Sequence, residues 1–121
     1  MYYFIVNPNA GSRKGMHCWE EIRTYLLKEG IDFRELLTKG EGDAMRFAER
    51  ITEKGRPDVI VAVGGDGTLH ETVSGMKKGT EAKLAFIPAG SGNDFARGMG
   101  SSKDPKERLR SILADENGAV I

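Results

Sequence analysis

The segment VIVAVGGDGTLHE, residues 59–71, joins an apolar run to a glycine-rich turn that contains a carboxylate. Residues 59–63 show no polar alternation, which is typical of a parallel strand covered on both faces of a sheet. Gly64, Gly65 and Gly67 would allow positive φ angles and the close approach of an anion to backbone N–H groups, and the following helix would add its positive end. We therefore predict a phosphate-binding turn between a buried strand and a helix.

Asp66 lies inside this turn, where a carboxylate would repel a phosphate unless a cation separated them. Mg²⁺ prefers one or two carboxylates together with phosphate oxygens and water. Asp66 therefore predicts a metal–nucleotide complex. The alternative is a tight structural turn in which Thr68 is an ordinary helix N-cap, but two companion loops described below make that interpretation weaker.

Strand and helix patterns alternate along the chain. Residues 2–6, 31–37, 58–63 and 84–87 read as strands, and helical spacing of apolar residues lies between them. Thr68 and Glu71 form a capping-box pattern, which predicts a helix that turns Leu69, Val73 and Met76 inward. Asp104 and Pro105 predict the start of a last helix. This order predicts an α/β fold, an open and mostly parallel Rossmann-like sheet flanked by helices.

Length and composition restrict the class of protein. The 121 residues fit one domain, and 18 basic residues balance 18 acidic ones, so a nucleic-acid partner is not indicated. Cys18, which we place in the core together with Trp19, is the single cysteine. An intrachain disulfide is therefore excluded, and a cytoplasmic location is favoured. The last residues, NGAVI, read as a turn and the beginning of a strand, so we expect a further domain to follow.

Three loops are expected at one edge of the sheet, because ligands of open parallel sheets bind at the carboxyl ends of the strands. They are NPNAG (7–11), GGDGT (64–68) and PAGSGNDFAR (88–97). In the third loop, Ser91, Asn93 and Asp94 supply groups suited to phosphate or ribose, although Asn93 and Asp94 could also cap a helix. Arg97 could bind phosphate or remain solvated. Neither a G-x-G-x-x-G fingerprint nor a Walker GK[ST] sequence is present.

These three motifs, in this order, resemble the catalytic domain of the diacylglycerol kinase and sphingosine kinase family, in particular its bacterial lipid kinases. GGDGT alone would also admit NAD kinases, whereas GNDFAR favours lipid kinases. The resemblance implies an ATP- and Mg²⁺-dependent enzyme that phosphorylates a lipid hydroxyl, with transient membrane contact and a cytoplasmic or peripheral location. Residues 1–121 would be its nucleotide-binding domain.

The family resemblance also assigns roles to individual residues. Asp66 would be the essential acidic residue, acting through the metal or the acceptor. Nucleotide contacts would come from all three loops and from one threonine after the second strand: Asn7, Pro8, Asn9, Thr38, Gly64, Gly65, Asp66, Gly67, Thr68, Ser91, Asn93 and Asp94.

Family members continue into a β-rich second domain that closes the cleft and helps to bind the acceptor. Because phosphoryl transfer depends mostly on positioning and charge stabilisation, we expect the 121-residue chain to bind nucleotide weakly and to transfer phosphate poorly. Two other interpretations remain at this stage, an NAD kinase-like domain and a non-catalytic nucleotide-binding module.

Overall fold

The structure is a computed structural model, and it describes residues 1–89 and 104–114, with Ser12 described by its backbone alone. In these residues a parallel four-stranded sheet is flanked by helices on both faces. The strands are β1 (Tyr2–Val6), β2 (Phe33–Leu37), β3 (Val59–Gly64) and β4 (Lys83–Pro88). The helices are α1 (Ala10–Lys28), α2 (Asp43–Glu53), α3 (Asp66–Gly75) and α4 (Pro105–Ala114).

The strand order is β2-β1-β3-β4, and every neighbouring pair is parallel. The chain moves from β1 to one side and later returns past it to β3, so the strand order reverses between β1 and β3. At this switch point Val6 lies opposite Val63. Switch points of open α/β sheets are where ligands bind, at the carboxyl ends of the strands.

Apolar side chains cover the sheet on both faces, as the unbroken apolar run of β3 predicts. Helices α1 and α4 pack on one face, where Trp19 of α1 and Leu109 of α4 are almost fully buried. Helices α2 and α3 pack on the other face through residues such as Ala48 and Leu69. The predicted burial of Cys18 and Trp19 is confirmed, since their exposed fractions are 6% and 1%.

The helix starts and stops follow the sequence signals in most places. Gly30, with φ of +68°, directly follows α1 and its C-cap Glu29. Asp104 caps α4, because its Oδ1 accepts a hydrogen bond from Lys106 N at 3.0 Å, and Pro105 is the first helical residue. Strand β2 begins at Phe33, later than the predicted residue 31.

Helix α3 differs from the prediction in its start and in its buried face. It begins at Asp66 with Gly65 as N-cap, so Thr68 is already inside the helix and caps nothing. The predicted inward position of Val73 is wrong, because this side chain is 49% exposed, whereas its neighbour Thr72 is fully buried. The Thr72 hydroxyl donates a hydrogen bond of 2.7 Å to Thr68 O, which satisfies this polar group inside the protein.

Candidate functional site

The loop that follows β1 is fixed by backbone contacts to β3 and to α1. Asn7 N donates to Val63 O at 2.9 Å, and Asn7 Oδ1 accepts a hydrogen bond from Asn9 N at 3.1 Å. Helix α1 passes very close to this loop, since an ideal Cβ on Gly15 would lie 2.0 Å from Asn7 O. Gly15 is therefore required for the packing of the loop, a role that nothing in the sequence pattern reveals.

The glycine turn after β3 has three glycines in three different environments. Gly64 is buried, and a Cβ there would lie 2.6 Å from Thr68 Oγ1. Gly65 and Gly67 are different, because a Cβ on either residue would meet no described atom within 4 Å. Gly64 alone of the three has a positive φ, of +159°; Gly65 is extended with φ of −93°, and Gly67 lies within α3. Gly65 and Gly67 thus share a backbone that the described side chains leave uncovered.

Asp66 is the first residue of α3, and its side chain is exposed beside this uncovered backbone. The first N–H groups of a helix lack intrahelical partners, and they carry the positive end of the helix dipole. In residues 1–89 and 104–114, no group of three His, Cys, Asp or Glu side chains is arranged to hold a metal ion. Within the described residues, Asp66 therefore stands at a helix start outside any such group, and Mg²⁺ is an ion that combines one or two carboxylates with phosphate oxygens and water.

The loop between β2 and α2 forms the opposite side of the site. Thr38 is buried, and its N–H donates to Val6 O at 2.8 Å, which ties the loop to β1. Asp43 Oδ2 accepts hydrogen bonds from Lys39 N at 2.8 Å and from Gly40 N at 3.0 Å. The Lys39 N–H lowers the pKa of Asp43 below its ordinary value, and Arg46 adds to this effect through a hydrogen bond and ion pair.

A hydrogen bond crosses from α3 to this loop. Glu71 Oε1 accepts a hydrogen bond from Gly42 N at 3.0 Å, although the two residues are 29 positions apart in the sequence. Sequence reasoning recognised Glu71 only as part of a capping box and did not assign a role to Asp43. Asp43 could have been found from the sequence, because it is an acidic residue directly after the glycine-containing segment TKGEG. The contact of Glu71 with Gly42 could be found only from the structure.

A polar cleft of about 260 Å³ lies between these loops, at the carboxyl ends of β1, β2 and β3. Five of the predicted site residues line it, and Glu71 is among the others. The full lining is Asn7, Asn9, Thr38, Lys39, Gly40, Glu41, Ala44, Gly67, Thr68 and Glu71.

The remaining predicted site residues do not line this cleft or cannot be placed. Pro8, Gly64, Gly65 and Asp66 belong to the adjoining turns but lie outside the cleft lining. The predictions for Ser91, Asn93, Asp94 and Arg97 fall outside the described residues.

Comparison with known proteins identifies the family to which this chain belongs. The model of the diacylglycerol kinase catalytic domain matches residues 1–120. The chain belongs to the diacylglycerol kinase catalytic-domain family. The NAD kinase-like alternative is thereby replaced by a lipid kinase-like domain.

Relatives of this diacylglycerol kinase-like domain are found among bacterial proteins. The Bacillus subtilis (strain 168) protein named "Putative lipid kinase YtlR" is 38% identical over 104 residues, which cover 84% of this chain and 34% of that protein. The diacylglycerol kinase of Staphylococcus haemolyticus (strain JCSC1435) is 33% identical over 117 residues, which cover 96% of this chain and 35% of that protein.

A solved structure of a diacylglycerol kinase from Bacillus anthracis str. Sterne has the same fold. It superposes with a TM-score of 0.74 and 32% sequence identity, over 92% of this chain and 40% of that one. The diacylglycerol kinase-like chain thus spans about a third of the length of the curated relatives that it matches. None of the helices in the described part of the chain is long and apolar enough to cross a membrane.

Proposed function

We propose that this chain is the nucleotide-binding domain of an ATP-dependent lipid kinase, which transfers the γ-phosphate of ATP to the hydroxyl of a diacylglycerol-like lipid. Membership of the diacylglycerol kinase catalytic-domain family and the names of the bacterial relatives support this proposal. The activity belongs to the whole protein, since each of these relatives is about three times as long as the matched region.

The observation that carries the proposal is the uncovered backbone on both sides of Asp66. Packing within the described residues does not explain glycine at positions 65 and 67, because added Cβ atoms would have free space there. Absence of side chains does matter if a bulky anion approaches the first N–H groups of α3. The turn also lies beside the β1–β3 switch point, where ligands of such sheets bind.

The adjoining polar cleft would hold the rest of the nucleotide. We assign nucleotide contacts to Asn7, Asn9 and Thr38 from the cleft lining, and to Pro8 from the resemblance. The turn from Gly64 to Thr68 would hold the phosphates. Ser91, which stands at a position of the family pattern, and Asn93 and Asp94, whose side chains suit phosphate or ribose, would contact the same nucleotide.

The metal and the acceptor complete the proposal. Mg²⁺ at Asp66 would neutralise charge on the phosphates, which is the main electrostatic need of phosphoryl transfer. The cytoplasmic protein would reach its lipid acceptor through transient contact with a membrane surface. A further β-rich domain would close the cleft, so the 121-residue chain by itself is expected to bind nucleotide weakly and to transfer little phosphate.

The first test is calorimetric titration of the chain with ATP, with and without Mg²⁺. We expect Mg²⁺-dependent binding that Asp66→Asn weakens at least about tenfold, because the substitution removes the negative charge that attracts the metal. Asp32→Asn is the matched control, since it makes the same chemical change at an exposed residue between α1 and β2, at the opposite edge of the sheet.

The possible results separate the parts of the proposal. ATP binding that is equally strong without Mg²⁺ and in Asp66→Asn would contradict the metal role of Asp66. No ATP binding under any condition would contradict nucleotide binding by this chain alone. In the full-length protein, ATP-dependent phosphorylation of diacylglycerol that Asp66→Asn abolishes would support the lipid kinase. Phosphorylation of NAD in place of lipid would exclude it.

A further inference from the structure

Glu71 joins the two sides of the cleft. Its Oε1 accepts the hydrogen bond from Gly42 N at 3.0 Å, in a half-buried contact between α3 and the loop before α2. The same side chain lines the cleft together with Gly67, which lies one helical turn earlier in α3. The middle of α3, one turn after Gly67, is thus bonded directly to the loop that faces it.

The loop from Thr38 to Gly42 is held by three kinds of contact. Thr38 N donates a hydrogen bond to Val6 O of β1. Lys39 N and Gly40 N donate hydrogen bonds to Asp43, the first residue of the helix that follows the loop. The hydrogen bond from Gly42 N to Glu71 differs from these because its acceptor belongs to α3. It alone among these contacts connects the loop to the helix that carries the glycine turn.

Gly42 is a suitable point for such a connection. Its φ of +87° places it in the left-handed region, where glycine is favoured, and it is the N-cap of α2. Helices α2 and α3 are in close contact below the cleft, where a Cβ on Gly75 would lie 2.1 Å from Met45 O. The Glu71–Gly42 hydrogen bond lies about one helical turn from this contact, on the side of the cleft, and extends the attachment of α3 to the loop before α2.

We infer that Glu71 is a positioning residue, which holds the loop of residues 38–42 at a fixed distance from the start of α3 through Gly42 N–H. This inference rests on the proposed function only for the identity of the ligand, a nucleotide. The hydrogen bond itself needs an acceptor oxygen at position 71 and does not need a charge. A glutamine at this position therefore preserves the positioning, whereas a side chain of similar length without an acceptor abolishes it.

The test compares Glu71→Gln with Glu71→Met, which have similar size and helix propensity but differ in the acceptor. The first readout is hydrogen exchange of single backbone amides, measured by NMR without ligand. In Glu71→Met we expect Gly42 N–H to exchange about tenfold faster, because its acceptor is lost. In Glu71→Gln the exchange should stay within about threefold of the wild-type rate. The amides of Lys39 and Gly40, which Asp43 holds, are internal controls that should not change in either variant.

The second readout is ATP affinity with Mg²⁺. We expect a loss of about tenfold in Glu71→Met and of less than about threefold in Glu71→Gln. Unchanged exchange of Gly42 N–H in Glu71→Met would overturn the inference. An equal loss of affinity in both variants, with Gly42 still protected in Glu71→Gln, would also overturn it, since the charge of Glu71 would then act on the ligand. Absence of ATP binding by the wild type would count against the proposed function, and the exchange rates would still decide the role of Glu71.

Discussion

At the scale of single residues, the glycine turn combines one structural glycine with two whose backbone is left uncovered. Gly64 is buried against Thr68 and Asn7, so its missing side chain is needed for the turn to close. Gly65 and Gly67 have free space around the Cβ position. Contacts among the described residues therefore do not explain glycine at these two positions, and a phosphate is a ligand that the local N–H groups suit.

Alanine substitutions separate these two roles. Gly64→Ala places a methyl group 2.6 Å from Thr68 Oγ1 and should lower the free energy of unfolding by about 1–3 kcal/mol. Gly67→Ala should leave the fold intact or raise its stability by up to about 1 kcal/mol, because alanine has the higher helix propensity. The same Gly67→Ala change should weaken ATP binding by about tenfold, since the methyl group occupies space at the start of α3.

Urea unfolding and calorimetry measure the two effects on the same samples. A Gly67→Ala variant that binds ATP as well as the wild type would show that the space beside this residue is not used by the nucleotide. A Gly67→Ala variant that unfolds more easily would instead show that the fold itself needs glycine at this position, contrary to the free space around its Cβ position.

At the scale of elements, α3 shows what the sequence can and cannot predict. Its existence and its position after a buried strand follow from the local pattern. Its start does not, because Thr68 and Glu71 match a capping box while Glu71 bonds to Gly42 of another loop. The predicted buried face is correct for Leu69 but wrong for Val73, because Thr72 is buried instead, with its hydroxyl bonded within the helix. Such contacts depend on which helix packs alongside, and hydrophobic spacing alone does not specify this neighbour.

The packing of α3 against α2 leads to a further prediction. Gly75→Ala would place a Cβ 2.1 Å from the backbone oxygen of Met45, and a backbone atom cannot move aside as a flexible side chain can. We expect a loss of about 3 kcal/mol in the free energy of unfolding, at the upper end of the usual cost of overpacking. Gly67→Ala is the control within the same helix. Equal stability of the two variants would show that α2 and α3 are not in such close contact.

At the scale of the whole molecule, the sheet and its two helical layers were predictable because the helices carry an apolar periodicity and the buried strands carry short apolar runs. The strand order β2-β1-β3-β4 came from the structure, although the sequence motifs correctly placed the loops after β1 and β3 at one edge. The cleft was only partly predictable. Asn7, Asn9 and Thr38 were identified from family motifs. Gly15 and Glu71 were not, because their contacts with Asn7 and Gly42 leave no mark in the sequence pattern.

Cys18 provides a test of the layer formed by α1 and α4. Burial raises the pKa of its thiol from 9.0 to about 12, and the nearby charges of Glu21 and Asp104 act in the same direction. The folded state therefore favours the protonated thiol. This contribution to stability is complete below the unfolded pKa of 9.0 and is progressively lost as the pH rises from there towards about 12.

The comparison with Cys18→Ala isolates this contribution from the other groups that titrate in alkali. At about pH 8 the variant should be less stable by its packing loss, on the order of 1 kcal/mol. By about pH 10 the stability of the wild type relative to the variant should fall by about 1.4 kcal/mol, because only the wild type can ionise a cysteine on unfolding. Urea unfolding at the two pH values measures the difference. A difference that does not change with pH would mean that the thiol ionises as easily in the folded protein, and that α1 and α4 do not seal this face of the sheet.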